Sequence, residues 1–122
     1  LTAEDIKTPT KRIDGIQGWH AHVYFDTATA PVAERVRNEV AERFDIRMGR
    51  WHERLVGPHP RWSYQIAFTP DLLGEMLSWL ALNRDGLTVL IHPETGDDLI
   101  DHTAHAVWMG EMLDLNLEMF RT

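Results

Sequence analysis

The stretch GWHAHVYFD, Gly18 to Asp26, limits the fold more than any other part of the chain. Trp19, Ala21, Val23 and Phe25 alternate with His20, His22 and Tyr24, the pattern of a β-strand with one buried face. Such a strand needs partners in a sheet and a second layer over its apolar side. Its other side carries two imidazoles where valine or threonine would pack as well.

The neighbouring segments supply the second layer. Pro31 suits the first turn of a helix, and Val32, Val36, Val40 and Phe44 recur at helical spacing, so Ala30 to Phe44 is expected to be an amphipathic helix. A second strand is expected within Ile46 to Val56, with Met48 assigned to the helix-free face. GPHPR, from Gly57, reads as a turn around His59. WSYQIAF then places Trp62, Tyr64, Ile66 and Phe68 on one strand face. A second helix follows, capped by Thr69 and carrying Leu72, Leu73, Met76, Leu77 and Leu80. A fourth strand spans Leu87 to His92. Asp98 to Met109 is expected to be a short helix, and Leu113 to Phe120 a small edge strand.

The order is β-α-β-β-α-β with a C-terminal extension, which predicts a single α+β domain over residues 1–122. The arrangement is ferredoxin-like, an antiparallel sheet of spatial order 4-1-3-2 with both helices on one face. His20, His22 and Tyr24 then face away from the helices, and so does His92. Strand four runs antiparallel to strand one, bringing His92 beside His20. With strand three taken as parallel to strand one, the turn carrying His59 falls at the same end. Residues i and i+2 on a strand lie about 6.5–7 Å apart at Cα, a gap that two imidazoles can span to share a metal at about 2.0–2.1 Å from each nitrogen. The cluster therefore reads as a metal or acid–base site, with His20, His22 and His92 as ligands and His59 as a fourth ligand or the acid–base group. Arg50 and His52, with Arg54, would form a cationic wall suited to a carboxylate or phenolate. His102 and His105 are assigned to capping or packing.

Composition excludes several other chemistries. The 122 residues contain no cysteine, which removes disulfides, thiolate zinc sites and cysteine nucleophiles and suits a cytoplasmic protein. No apolar run approaches the roughly 18 residues that span a membrane, and the polar first residues lack the apolar centre of a signal peptide. A formal charge of −7 argues against a nucleic-acid surface.

WHAHVYFD from Trp19, GPHP from Gly57 and LNRDGLTVLIHPETGDDLIDHTAHAVWMG from Leu82 together resemble the DOPA 4,5-dioxygenase family of aromatic ring-opening enzymes. The resemblance covers nearly the whole chain. It implies extradiol cleavage of a catechol such as DOPA with Fe(II) and O₂. No carboxylate obviously joins the histidines; Glu53 and Asp26 are the nearest in sequence. An all-histidine iron site is the working expectation, and His59 could accept a catechol proton.

Two rival classes use the same residues, a non-catalytic dimeric ligand-binding module and a zinc-dependent hydrolase. A homodimer is expected through the helix-free face, where Tyr24, Leu90 and Met48 would otherwise lie open. The alternative cover is the C-terminal segment of the same chain.

Overall fold

The computed structural model describes residues 8–121; the first part of the polar lead-in lies outside them. Its elements are β1 (Gly18–Phe25), α1 (Ala30–Arg43), β2 (Arg47–Met48), β3 (Trp62–Phe68), α2 (Leu73–Asn83), β4 (Val89–Glu94), α3 (Asp98–Asp101) and β5 (Val107–Met109). They form one sheet of order β2-β3-β1-β4-β5. The α+β class and the 4-1-3-2 core of the sheet are as the sequence implies, with β5 added at one edge.

The alternation in β1 has its expected result. Ala21, Val23 and Phe25 form one core with Tyr64, Ile66, Phe68, Val89 and Ile91 from the sheet and Ala33, Val36, Val40, Met76 and Leu80 from the helices. Ahead of α1, Asp26 and Thr29 exchange bonds: Thr29 N–H donates to Asp26 Oδ1 and Asp26 N–H to Thr29 Oγ1, each at 2.9 Å. Together with Pro31 they set the helix start.

Several expectations need correction. β3 runs antiparallel to β1, with Phe25 paired to Trp62 and Trp19 to Phe68. The α1 crossover makes β1 and β2 parallel, so a strand inserted between them and bonded to both must oppose both. The second strand is only Arg47–Met48, followed by a lone bridge between His52 and Ser63. Gly49 ends it, where an added Cβ would stand 3.1 Å from the Gln65 carbonyl oxygen. Met48 packs against the core rather than the helix-free face.

The helix expected over Asp98 to Met109 stops after one turn. Thr103 Oγ1 donates to the Leu99 carbonyl, the acceptor that the next helical N–H would use, while Thr103 N–H turns to the Ile100 carbonyl. Val107, Trp108 and Met109 instead pair with Ile91, Leu90 and Val89. Leu113 to Phe120 forms no strand; its one regular piece is a 3₁₀ turn at Glu118–Phe120. β4 starts two residues later than expected and continues through Pro93 to Glu94. The Glu94 carbonyl accepts from Gln17 N–H, so the backbone at Pro93 faces away from β1, beyond the reach of β5, and its missing N–H costs no ladder bond.

The helix-free face is covered within the chain. Tyr24 is 1% and Leu90 0% exposed. Trp108 stacks over Tyr24, Asn116 N–H donates to the Pro58 carbonyl, and Phe120 packs on His102. The C-terminal segment is thus joined to both the His59 turn and His102, the residue after α3, as in the alternative of a cover from the same chain. No helix among the described residues is long and apolar enough to cross a membrane.

Candidate metal centre

His20 and His92 are cross-strand partners, and His22 sits two residues further along β1 on the same face. One ring nitrogen from each of His20, His22 and His92 lies within 4.8 Å of the others. Nε2 of His22 and Nε2 of His92 are 3.1 Å apart, close to the roughly 3 Å separation of two nitrogens on one metal ion at about 2.0–2.1 Å from each. The His92 Nδ1–H donates to the Pro93 carbonyl at 3.0 Å, which puts the lone pair of that neutral ring on Nε2. An outer partner that fixes the tautomer and orientation of a ligand imidazole is a recurring feature of metal sites. The donor set therefore fits a divalent metal ion.

The surroundings keep the rings neutral. Burial pushes His22 well below the ordinary imidazole range, and the neighbouring histidines push it further. His92 is lowered to about 4, mainly by burial. His20, nearer the surface, is lowered by burial and then by His102. Neutral imidazoles present lone pairs without first losing a proton.

His59 reaches the cluster by a different route from the one expected. Because β3 is antiparallel to β1, its turn enters at the Phe25 end of the sheet, then folds back across the helix-free face. The ring lies 4.2 Å from that of His22, centroid to centroid, and its Nδ1 is 2.7 Å from the Tyr24 hydroxyl. Burial lowers His59 to about 4, with His102 and His52 adding to the effect. His59 is not one of the converging ligand set.

Arg50 and His52 line a cavity of about 260 Å³ together with His22, His59 and Gln65. Arg54 is exposed and outside that wall. The carboxylates nearest in sequence are engaged elsewhere: Asp26 at the start of α1, and Glu53 with the Trp51 indole N–H.

The carboxylate beside the triad is Glu94, which sequence reasoning missed. Its Oε1 stands 3.0 Å from His20 Nδ1 and 3.6 Å from His92 Nδ1. Burial raises its carboxyl, and Asp98 and Asp101 add to the shift. The available signal was the i, i+2 relation of His92 and Glu94 across Pro93. His102 does both of the things expected of it: it caps the Asp98 carbonyl, and its ring packs 4.0 Å from His92. His105 does pack as expected, through Nδ1 to the buried Asp101 carboxylate at 2.9 Å.

The model of the Dopa 4,5-dioxygenase family matches residues 19–119, so the chain belongs to that family. A protein of Amanita muscaria named DOPA 4,5-dioxygenase is 33% identical over 111 residues, covering 84% of this chain and 49% of that one. An uncharacterized 21.2 kDa protein of Botryotinia fuckeliana is 40% identical over 96 residues, covering 72% and 51%. The chain thus spans about half the length of these two relatives. The crystal structure of "a putative dioxygenase" from Nostoc punctiforme superposes with a TM-score of 0.90 at 46% identity, covering 92% of this chain and 97% of that one.

Proposed function

We propose that the protein is an extradiol ring-opening dioxygenase acting on a catechol of the DOPA type, with Fe(II) held by His20, His22 and His92. The observation that carries this reading is the convergence of three neutral imidazoles within 4.8 Å, in a chain of the Dopa 4,5-dioxygenase family. Imidazole ligands suit first-row divalent metals, iron among them. Fe(II), when bound there, supplies the electron chemistry through which O₂ reacts with a catechol.

The remaining work falls to the chain. Arg50 and His52 face the same cavity as His22, and a guanidinium beside an imidazole favours a catecholate oxygen or a side-chain carboxylate. At about 260 Å³ the cavity lies just below the roughly 300–1,000 Å³ of common ligand sites, which favours a substrate with one ring. His59 bounds the same cavity.

The test is anaerobic loading with Fe(II), metal analysis, then addition of a catechol and air. Wild type should hold about one iron per chain by this reading of the ligand set, and His22→Ala and His92→Ala should lose it. A yellow ring-opened product should form with matching O₂ uptake. Unchanged iron content and turnover in His22→Ala or His92→Ala would refute the assignment.

A further inference from the structure

Tyr24 has no part in the ligand set, yet its hydroxyl is buried against His59. The only hydrogen-bond partner of Tyr24 Oη among the described residues is His59 Nδ1, at 2.7 Å. A phenol carries one hydrogen to donate, and a buried O–H left without an acceptor is costly. If Nδ1 held the proton, the Tyr24 hydrogen would find no acceptor among the described residues. The Tyr24 hydrogen therefore points at Nδ1, Nδ1 is a lone pair, and the proton of the neutral ring is on Nε2.

The geometry has little freedom. Tyr24 is 1% exposed and its ring lies under Trp108, 6.1 Å away at an interplanar angle of 20°. His59 stands between Pro58 and Pro60; its own N–H donates to the Val56 carbonyl, and the Pro58 carbonyl accepts from Asn116 N–H. The ring bounds the cavity shared with Arg50 and His52, and its Nε2 edge is the part that Tyr24 does not hold.

We infer that Tyr24 is a positioning residue that makes His59 present an N–H to the cavity, so that His59 acts on an anionic oxygen of the catechol or its ring-opened product as a hydrogen-bond donor and not as a base. This rests on the proposed function for the identity of the ligand, though not for the tautomer. The one lone pair of the ring is already occupied by Tyr24, so His59 cannot accept a catechol proton. No proton leaves His59 either; the N–H stabilises negative charge in place, as a neutral imidazole can.

The experiment has two arms. In metal-free protein at neutral pH, long-range ¹H–¹⁵N spectra report which ring nitrogen of His59 is protonated. Wild type should show Nε2–H. Tyr24→Phe should shift the tautomer ratio toward Nδ1–H by about two- to tenfold, the worth of one hydrogen bond, with an unchanged far-UV spectrum. In Fe(II)-loaded protein, His59→Ala should lose about 10²–10³ in kcat. His59→Gln, whose amide offers an N–H but no base, should recover a good part of that loss, and KM should move little in either. A wild-type Nδ1–H tautomer, or a ratio unmoved in Tyr24→Phe, overturns the inference. So does a His59→Gln no better than His59→Ala. A wild type that takes up no iron and opens no catechol refutes the proposed function, and the tautomer arm alone then decides this inference.

Discussion

Lowering the pH from 7 to 5 in EDTA-treated protein should remove about 4 kcal/mol of folding stability through His59 and His92 alone. Each ring titrates near 6.5 in an unfolded chain and at about 4 in the fold. The fold holds the neutral form, so between these values the unfolded chain binds more protons. The associated stability is complete above about pH 6.5 and is lost as the pH falls towards 4; by pH 5 the loss is about 2 kcal/mol per ring. Both residues are under a tenth exposed, so solvent screening takes little from this figure. His22 and His20 are lowered as well and act in the same direction. Glu94 is raised, and so offsets part of the loss at the low end of the window. A loss of about 4 kcal/mol is a large share of the roughly 5–15 kcal/mol typical of a domain. Urea unfolding at pH 7 and pH 5 measures it. His92→Asn should flatten the pH dependence by about 2 kcal/mol, its own share. A difference below about 1 kcal/mol between the two pH values, or a His92→Asn variant as steep as wild type, would refute burial as the source of neutrality.

Arg50→Ala should raise KM for a catechol carrying a carboxylate by about tenfold or more, with a smaller effect on a catechol lacking one, as expected for a lost charge-assisted contact; equal effects on both in steady-state kinetics would remove Arg50 from substrate binding. Asp101→Asn should cost about 2–3 kcal/mol in a urea titration, because the buried carboxylate accepts from Thr95 N–H at 2.8 Å, Thr95 Oγ1 at 2.7 Å and His105 Nδ1 at 2.9 Å. Light scattering reads self-association: a mass near one 14.1 kDa chain is expected if the cover over Tyr24 and Leu90 is complete, and twice that mass would put an interface elsewhere, the open edge of β5 being the first candidate.

The parts of the fold legible in the sequence were those with a strong period. β1, α1 and β3 carry enough alternating or helical positions to fix both their type and their buried face. The direction of β3 does not follow from its own residues; it follows from the crossover through α1 and from which strand lies between which. The short elements were lost for another reason. Arg47–Met48 and Val107–Met109 are too brief to show a period, and their pairing with β3 and β4 decides their conformation. Glu94 was hidden by Pro93, which reads as a strand terminator unless one knows that the backbone there faces no partner strand.

The histidine face was legible as a pair, and His92 joined it correctly by register. What the sequence could not give was the division of labour among the rings, because that depends on what each Nδ1 meets. The Nδ1 of His92 meets the Pro93 carbonyl and that of His102 meets the Asp98 carbonyl. A carbonyl can only accept, so both rings carry a proton on Nδ1, and in His92, which burial keeps neutral, the lone pair is on Nε2, the state a metal ligand needs. The Nδ1 of His59 meets a hydroxyl that must donate, which inverts the tautomer and leaves an N–H where a ligand would need a lone pair. The His59 ring lies 4.2 Å from that of His22 between centroids, but it is outside the set of nitrogens that converge within 4.8 Å, and its tautomer sets it apart as well. One partner atom per ring, a carbonyl or a phenol, thus sorts His92 and His59 into a ring that can hold a cation and a ring that can steady an anion beside it, and the proposed reaction calls for both kinds.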